Sequence, residues 1–234
     1  MSKTKKAIII GSVLVGIGVI IGFIGIAIGG FKFPNGAVDL TTMKALHAEK
    51  KTVQIADAFD KIEIAGASSM DIEICKSKTG KNYVEYYDTD DWTSHVDVKE
   101  HVLKFTTDDK GKHKAIVSLG FGKDTAARLY LADAEYKEIA VTTLSGYVTI
   151  QDVNAGTVNV SASSGDIDLE RCDAEGFDIT TSSGDVDMEI TAGRTYRFET
   201  KTNSGDVDVP DGDADSDYLC KIVTSSGDVD VKQK

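Results

Sequence analysis

The chain has 234 residues, 41% of them hydrophobic, which is enough to bury a sizeable core. Its 38 acidic residues outnumber its 26 basic ones, and the formal net charge is −12 at pH 7. This balance argues against a nucleic-acid-binding protein, because phosphates need a basic surface. The three cysteines do not make a disulfide framework.

The first predicted element is an apolar segment, Ala7–Gly30, that contains no charged residue. A helix of this length covers about 35 Å and can span a hydrocarbon core of about 30 Å. Residues 1–6 contain three lysines and no acid. The positive-inside rule therefore puts this tail in the cytoplasm and the remainder of the chain outside a cell membrane. The alternative is a cleaved signal peptide, since Ala27–Gly29 is a small-x-small sequence.

Glycines recur in this segment with a spacing that permits close approach of two helices. Gly18 and Gly22 form one GxxxG pair, and Gly25 and Gly29 form another. Glycine is also common in membrane helices in general, so the spacing leaves two interpretations. The membrane is the expected partner of this helix, and self-association through GxxxG is a further hypothesis.

Residues 31–58 form a predicted juxtamembrane stretch with a short helix at Lys44–Lys51. From Phe59 onward, Lys61–Ile64 and Met70–Ile74 alternate between apolar and polar residues, as half-buried strands do. Together they resemble a degenerate copy of the repeat described below. Further short strands are predicted at Tyr83–Tyr87, His95–Val98, Val102–Thr106, Ala115–Leu119 and Ala127–Leu131.

The last third of the chain repeats the phrase Ser-Gly-Asp-Val-Asp followed by an apolar residue. The repeat glycines are Gly146 (in an eroded copy), Gly165, Gly184, Gly205 and Gly227. Apolar residues recur seven positions before each glycine and two and four positions after it, and five positions before each glycine except Gly205, where Thr200 stands. A fixed period of this kind indicates stacked identical units. We predict an all-β fold, a parallel β-solenoid or β-helix-like stack of coils, with an antiparallel sandwich as the alternative.

The stretches between repeat copies vary in length and contain glycine, proline, aspartate and alanine, so we predict them to be loops. They are Gln151–Thr157, Glu170–Gly176, Glu189–Arg197 and Pro210–Leu219. Cys172 then lies in a loop, whereas Cys220 occupies an apolar core position. If the coils stack in chain order, Val229–Val231 is the open edge, and the lysines that follow discourage further pairing.

Three features of the chain resemble a family of bacterial envelope proteins described as "putative adhesins", a domain of unknown function. They are Phe59-Asp-Lys-Ile-Glu-Ile, then Arg128-Leu-Tyr-Leu-Ala-Asp leading through Ile139 to Gly146, and the Ser-Gly-Asp-Val repeats. The resemblance covers Val53–Val231. It departs at Ala132, where the family often has proline. It implies a coil fold, an adhesin label without catalytic residues, and a competing role in envelope stress regulation.

If the repeats stack in register, their aspartates form two outward columns. The first column is Asp166, Asp185, Asp206 and Asp228, and the second is Asp168, Asp187, Asp208 and Asp230. Carboxylates about 4.8 Å apart repel by roughly 0.9 kcal/mol in water. Ca²⁺ would relieve this repulsion, because it favours several oxygen ligands, so the columns are a candidate cation site. The alternative is a solvated acidic face, and no other metal or cofactor is expected.

No residue pattern indicates catalysis. The histidines His47, His95, His101 and His113 are scattered before the repeat, without a nucleophile motif. Aromatic residues are typical of strands, so we expect packing rather than sugar stacking for Tyr83, Tyr86, Tyr87 and Trp92. The arginines Arg171 and Arg194 fall in the predicted loops without a repeated acid–base partner.

The predicted organisation has four parts. They are a basic tail at 1–6, a transmembrane helix at 7–30, a juxtamembrane stretch at 31–58, and an extracytoplasmic β-solenoid at 59–234, with regular repeats at 139–231. The predicted function is a non-enzymatic, membrane-anchored adhesin or envelope-binding module whose partners are cell-wall polymers or envelope proteins. The alternatives are a scaffold or regulator of the envelope stress response, and a polysaccharide-active β-helix enzyme.

Overall fold

The computed structural model describes residues 37–39, 44–45, 48–65, 70–89, 92–109, 116–118, 126–132, 135–191 and 193–234. All regular elements in these ranges are strands, which confirms the prediction of an all-β fold for the described residues. In chain order they are β1 (Ala37–Asp39), β2 (Lys44–Ala45), β3 (Ala48–Ile55), β4 (Lys61–Ala65), β5 (Ile72–Lys76), β6 (Asn82–Thr89), β7 (Trp92–Lys99), β8 (Val102–Asp109), β9 (Ile116–Ser118), β10 (Ala127–Leu131), β11 (Glu135–Ser145), β12 (Val148–Gln151), β13 (Asn154–Ser164), β14 (Ile167–Ser183), β15 (Val186–Ile190), β16 (Arg197–Lys201), β17 (Val207–Asp208), β18 (Leu219–Val223) and β19 (Val229–Gln233).

The predicted transmembrane segment, Ala7–Gly30, and its glycine pairs lie outside the described residues. Within the described ranges, no helix is long and apolar enough to cross a bilayer. The predicted short helix at Lys44–Lys51 is wrong, because Lys44–Ala45 forms β2 and residues 48–51 belong to β3. β3 pairs antiparallel with β6 along its length, so its backbone hydrogen bonds are made between strands.

Six coils, each made of two strands and the corner between them, form the body of the described structure. Numbered in chain order, they are coil 1 (61–76), coil 2 (135–151), coil 3 (154–170), coil 4 (173–190), coil 5 (197–208) and coil 6 (219–233). Neighbouring coils pair in parallel, with equivalent repeat residues aligned, as Val148 with Ile167 and Ile167 with Val186. Coil 1 is the predicted degenerate copy, since Ile62 aligns with Ile139 and Ile72 with Val148.

The coils do not stack in chain order. Coil 6 lies directly on coil 4, because β18 pairs with β14 and β19 pairs with β15. Coil 5 then pairs with coil 6 through β16 and β17. The spatial order is therefore 1, 2, 3, 4, 6, 5. The prediction that Val229–Val231 forms the open edge is wrong, because β17 covers it and the outer edges of the stack are β16 and β17.

Burial of apolar side chains explains part of this order. Coil 6 places Ile222 and Val229 at inward positions, where they are at most 1% exposed. Coil 5 places Thr200 and Val207 at the equivalent positions, and Val207 remains 41% exposed. Because burial stabilises in proportion to the apolar area removed from water, the more apolar repeat occupies the position that is covered on both sides.

Charge explains the other part of the order. In the observed register, Lys221 of coil 6 lies between Asp178 of coil 4 and Glu199 of coil 5. Its ammonium group is 2.9 Å from the Asp178 carboxylate. Stacking in chain order would instead set Glu199 directly beside Asp178, and like charges on adjacent strands destabilise a sheet.

Antiparallel strands close the opposite end of the stack. β8 and β10 continue the parallel pairing beyond coil 1, and β7, β6 and β3 then pair antiparallel at the outside. The inward residues of the coils and of this end form one buried cluster. The five predicted strands of the middle region correspond to β6, β7, β8, β9 and β10.

Two of the predicted loops are instead part of the coils. Glu170–Gly176 lies within β14, and the chain turns at Arg171, which has a φ of 53°, as does Asp152 one coil earlier with a φ of 55°. This second corner directs Cys172 into the core, where it is fully buried. The prediction of a loop position for Cys172 is therefore wrong, while the buried position of Cys220 is confirmed.

Candidate functional site

Corner glycines bring neighbouring coils into close backbone contact. Gly184 has a φ of 153°, and a Cβ atom added there would lie 2.2 Å from the carbonyl oxygen of Gly165. Gly227 makes the same approach to Gly184, at 2.1 Å. Glycine is required at these corners because a side chain would be strained by the positive φ and would also collide with the next coil.

The aspartate after each corner glycine, here called a corner aspartate, binds the backbone of the next coil. The Asp185 amide donates to Asp166 Oδ1 at 2.9 Å, and the Asp228 amide donates to Asp185 Oδ1 at 2.8 Å. The Asp206 amide donates to Asp228 Oδ1 at 2.8 Å. The predicted first column therefore exists, but in the order 166, 185, 228, 206. The carboxylates of Asp166, Asp185 and Asp228 act as acceptors that hold the corners together, so this column has a structural role.

The second predicted column, here called the outer aspartates, is brought together in the same spatial order. Asp168 aligns with Asp187, Asp187 with Asp230, and Asp230 with Asp208. Desolvation, followed by the neighbouring acids, raises the pKa of Asp168 and of Asp187 above the ordinary range. Lys232 partly compensates, because its ammonium group lies 2.9 Å from the Asp230 carboxylate.

Three of the outer aspartates, Asp168, Asp187 and Asp230, line a shallow groove of about 350 Å³ on one face of the stack. Among the described residues, no group of three or more His, Cys, Asp or Glu side chains is arranged to hold a metal ion. The Ca²⁺ role of the two columns stays a prediction. A solvated acidic face remains the alternative interpretation of the outer aspartates.

A second surface, which the sequence analysis missed, lies on the opposite sheet. It is a trough of about 340 Å³ across coils 2, 3 and 4. We call it the polar trough, and its outward side chains are Ala140, Thr142, Asn159, Ser161, Asp178 and Thr180. Short side chains on three consecutive coils leave this depression in the sheet surface. The signal in the sequence is the recurrence of small residues, all polar except Ala140, six and four positions before Gly146, Gly165 and Gly184.

Ion pairs flank the polar trough at both ends. Lys61 and Glu138 are 2.9 Å apart, and this hydrogen bond is the main reason that the pKa of Lys61 is raised. The Asn159 amide nitrogen donates to Glu138 at 3.5 Å. At the other end, Lys221 pairs with Asp178. The trough therefore offers hydroxyl, amide and carboxylate groups between fixed charged rims, which suits a polar and uncharged ligand.

The remaining candidate residues have structural partners. Arg171 forms ion pairs with Asp152 and Glu170, and Arg194 forms one with Asp173. The Tyr196 hydroxyl, in a fully buried side chain, donates to the Ala174 carbonyl oxygen at 2.6 Å and lies 3.1 Å from Asp173 Oδ1. Burial is the main reason that the pKa of Tyr196 is raised. The contacts of Arg194 and Tyr196 hold the segment that precedes coil 5 against coil 4.

Among the described residues of the middle region, the histidines and aromatic side chains do not converge on a site. His95 contacts Asp108 at 3.1 Å on an exposed strand pair, and His47 and His113 lie outside the described residues. Tyr83 stacks on Tyr130 with ring centroids 4.4 Å apart. The Trp92 indole donates to the Tyr87 carbonyl oxygen. These aromatic contacts fit the expected packing role.

Comparisons with known proteins bear on the family and the fold. Residues 59–234 match the family described as Toastrack DUF4097. A search of curated protein sequences gives no match. The crystal structure of a "putative cell adhesion protein" from Clostridium sporogenes matches with a TM-score of 0.60 and 15% identity, over 81% of this chain and 100% of that chain. Identity at this level shows a shared fold alone.

Two further crystal structures match with lower scores. A "putative adhesin" from Bacteroides fragilis has a TM-score of 0.38 and 14% identity, over 80% of this chain and 97% of that chain. A "putative lipid binding protein" from Parabacteroides distasonis has a TM-score of 0.26 and 11% identity, over 80% of this chain and 97% of that chain. Neither score is high enough to support an argument. The family match agrees with the resemblance noted in the sequence, namely to a domain of unknown function. Two of the similar structures carry adhesion or adhesin names.

Proposed function

The chain belongs to the Toastrack DUF4097 family, and we propose that its coil domain is a non-enzymatic binding module of the bacterial envelope that holds a cell-wall polymer in the polar trough. One observation carries this proposal, namely that three consecutive coils repeat a small hydroxyl side chain, at Thr142, Ser161 and Thr180, across one open depression. Neighbouring strands lie about 4.8 Å apart, so a chain of sugar units that crosses the coils meets similar partners at each step.

The chemistry of the trough favours a neutral polyhydroxylated polymer. Thr142, Ser161 and Thr180 each carry one hydroxyl group that both donates and accepts a hydrogen bond. The flanking lysines are already paired with Glu138 and Asp178, so they do not provide a free cationic patch for an acidic polymer. The name of the Clostridium sporogenes protein, whose fold this chain shares, is consistent with a surface-binding role.

Location at the membrane surface is a further part of the proposal. Its support is the charge-free Ala7–Gly30 segment behind a basic tail, which would place the coil domain outside the cell. A test is protease treatment of intact cells that express the chain with a tag at each end. Loss of the tag after Lys234 with retention of the tag before Met1 is expected, and protection of both tags would contradict an outward-facing domain.

The binding proposal is tested by co-sedimentation of the purified full chain with isolated cell-wall glycan. Ser161→Arg fills the centre of the polar trough with a long side chain. We expect about tenfold weaker binding, which corresponds to about 1.4 kcal/mol. The matched control is Thr149→Arg, which makes the same charge change on the outward face of the opposite sheet and should leave binding unchanged.

The outcomes separate the candidate functions. Saturable binding that is lost in Ser161→Arg alone supports the envelope-binding module. Equal loss in both variants would indicate a nonspecific effect of charge and would contradict the trough as the site. Absence of binding in the native chain would overturn the proposal and favour the regulator alternative, in which the partner is another envelope protein.

A further inference from the structure

Coil 6 occupies a slot between coils 4 and 5 that matches one Ser-Gly-Asp-Val repeat. The corner of coil 4 accepts the Asp228 amide on Asp185 Oδ1 at 2.8 Å. Lys221 reaches Asp178 at 2.9 Å, and the Lys234 ammonium group lies 2.7 Å from Glu189. The slot therefore binds the corner of the repeat through a hydrogen bond, and the lysines before and after that corner through ion pairs.

Coil 5 has the same Ser-Gly-Asp-Val corner, but it cannot replace coil 6 in this slot without losing the two lysine ion pairs. At the position of Lys221, coil 5 has Glu199, which would face Asp178. Coil 6 is also the element that connects coil 5 to the stack, since β16 pairs with β18 and β17 with β19. The slot is therefore selective for the coil 6 sequence among the repeats of this chain.

Coil 6 is joined to coil 5 by residues 209–218, which form no strand and are here called the linker. An extended linker of this length reaches about 33 Å. That distance exceeds the separation of adjacent coils several-fold, so the linker can carry coil 6 to a slot on a neighbouring molecule. An exchange of identical elements between two copies reforms the hydrogen bonds and ion pairs of the slot. Its cost is the loss of linker contacts, such as those of the Asp213 amide with the Tyr196 carbonyl oxygen and of Ser216 Oγ with the Thr195 carbonyl oxygen. Exchange of this kind is a low-cost route to a dimer.

We propose that coil 6 is an exchangeable element, and that the slot of one copy receives coil 6 from a second copy of this chain. The charge pattern makes the slot specific for coil 6, because the element that binds there must supply Lys221 and Lys234 in register with Asp178 and Glu189. The exchange produces a homotypic contact between copies. It goes beyond the binding function and does not rest on it, since the polar trough lies on coils 2, 3 and 4 and is left in place.

The test is a disulfide that can form only when coil 6 lies in the slot. Ser182 of coil 4 and Ser225 of coil 6 are exposed, and the register aligns them, because Ser183 pairs with Ser226. Adjacent strands are about 4.8 Å apart, within the range of Cα separations that a disulfide spans. One copy carries Ser182→Cys and a differently tagged copy carries Ser225→Cys, both as full chains in detergent with Cys75→Ser.

The native thiols do not interfere with this test. Cys172 and Cys220 are fully buried, and desolvation raises the pKa of each to about 12. Cys172 stays in coil 4 and forms no appreciable thiolate at neutral pH. Cys220 moves with coil 6, but it is present in the test mixture and in the control mixture alike, so it does not produce a difference between them. The matched control replaces Ser182→Cys with Ser163→Cys, the equivalent exposed position on coil 3. It lies two strands from Ser225, at about 10 Å, which is too far for a disulfide.

The proposal predicts three results after the two copies are incubated together under mild oxidation. A single chain with Ser182→Cys and Ser225→Cys forms an internal disulfide. The mixed copies form several-fold more covalent heterodimer than the Ser163→Cys control mixture. Association through the membrane segment is equal in the two mixtures and so does not produce this difference. Equal heterodimer in both mixtures overturns the exchange, and failure of the internal disulfide overturns the slot itself.

Discussion

The close contact of the coil corners predicts a large difference between two glycine-to-alanine substitutions. Gly184 and Gly193 both have a positive φ, at 153° and 144°. At Gly193 an added Cβ atom would meet no atom within 4 Å, whereas at Gly184 it would lie 2.2 Å from the Gly165 carbonyl oxygen. The comparison therefore separates backbone strain, which both variants share, from collision between coils, which occurs in Gly184→Ala alone.

The magnitudes follow from these two contributions. Holding alanine in this backbone region costs about 1–3 kcal/mol in either variant. In Gly184→Ala the two coils must also move apart by about 1 Å to restore an ordinary contact of 3.4 Å. Overpacking of this kind costs about a further 1–3 kcal/mol. We expect Gly184→Ala to lose about twice as much unfolding free energy as Gly193→Ala.

Urea unfolding of the full chain in non-ionic detergent, followed by circular dichroism, measures this difference. The slope with denaturant should be the same in both variants, so that the midpoint alone reports the loss. The test is repeated with Gly227→Ala, whose added Cβ atom would lie 2.1 Å from the Gly184 carbonyl oxygen. An equal loss in Gly184→Ala and Gly193→Ala would refute the argument that coil contact fixes glycine at the corners.

Three further predictions concern the aspartates. Asp185→Ala removes the acceptor of the Asp228 amide and should lower the free energy of unfolding in urea by about 0.5–1.5 kcal/mol. Asp185→Asn keeps an acceptor oxygen and should lower it less. Equal losses of unfolding free energy in the two variants would contradict the structural role. Desolvation and Asp230 raise the pKa of Asp187 above its ordinary 3.8. The folded state therefore binds this proton more tightly than the unfolded chain does. The free energy of unfolding should fall as pH rises from 3.8 through the folded pKa. Asp187→Asn should therefore stabilise the chain at pH 7, by at most about 1 kcal/mol, and flatten this part of the pH profile, and destabilisation at pH 7 would be the opposite result. If the aspartate columns bind Ca²⁺, millimolar Ca²⁺ should raise the melting temperature of the native chain, and should raise that of Asp187→Asn less. An unchanged melting temperature of the native chain would mean that the columns have only a structural role.

The sequence predicts the repeating part of the fold well, because its information is local and periodic. The alternation around each Ser-Gly pair identifies the inward residues, and Ile167 and Val186 are fully buried as expected. Equivalent positions also identify coil 1, where Ile62 and Ile72 align with the regular repeats. Periodicity determines register within a coil and between adjacent coils.

Periodicity does not determine the order in which similar coils stack. Coils 5 and 6 have the same pattern, so the repeat alone permits either one on coil 4. The distinction lies in single residues, above all Lys221 between Asp178 and Glu199. It becomes visible only when outward residues are compared across coils rather than along the chain.

The other differences also arise from contacts that lie far apart in sequence. Cys172 was expected in a loop because Glu170–Gly176 contains aspartate, alanine and glycine, but a turn at Arg171, which no glycine or proline marks, directs Cys172 into the core. The Asp185 carboxylate binds an amide 43 residues away, which a column of like charges does not suggest. The polar trough was missed because its small side chains resemble an ordinary solvated strand face until three coils are placed together.

Amide hydrogen exchange of the native full chain tests the stacking order most directly. If coil 6 lies inside the stack, the amides of Leu219–Val223 are flanked by β14 and β16 and should exchange more slowly than those of the edge strand Arg197–Lys201. The same contrast is expected between Val229–Gln233 and Val207–Asp208. Slower exchange in Arg197–Lys201 than in Leu219–Val223 would mean that the coils stack in chain order, and would contradict both the fold and the exchange slot derived from it.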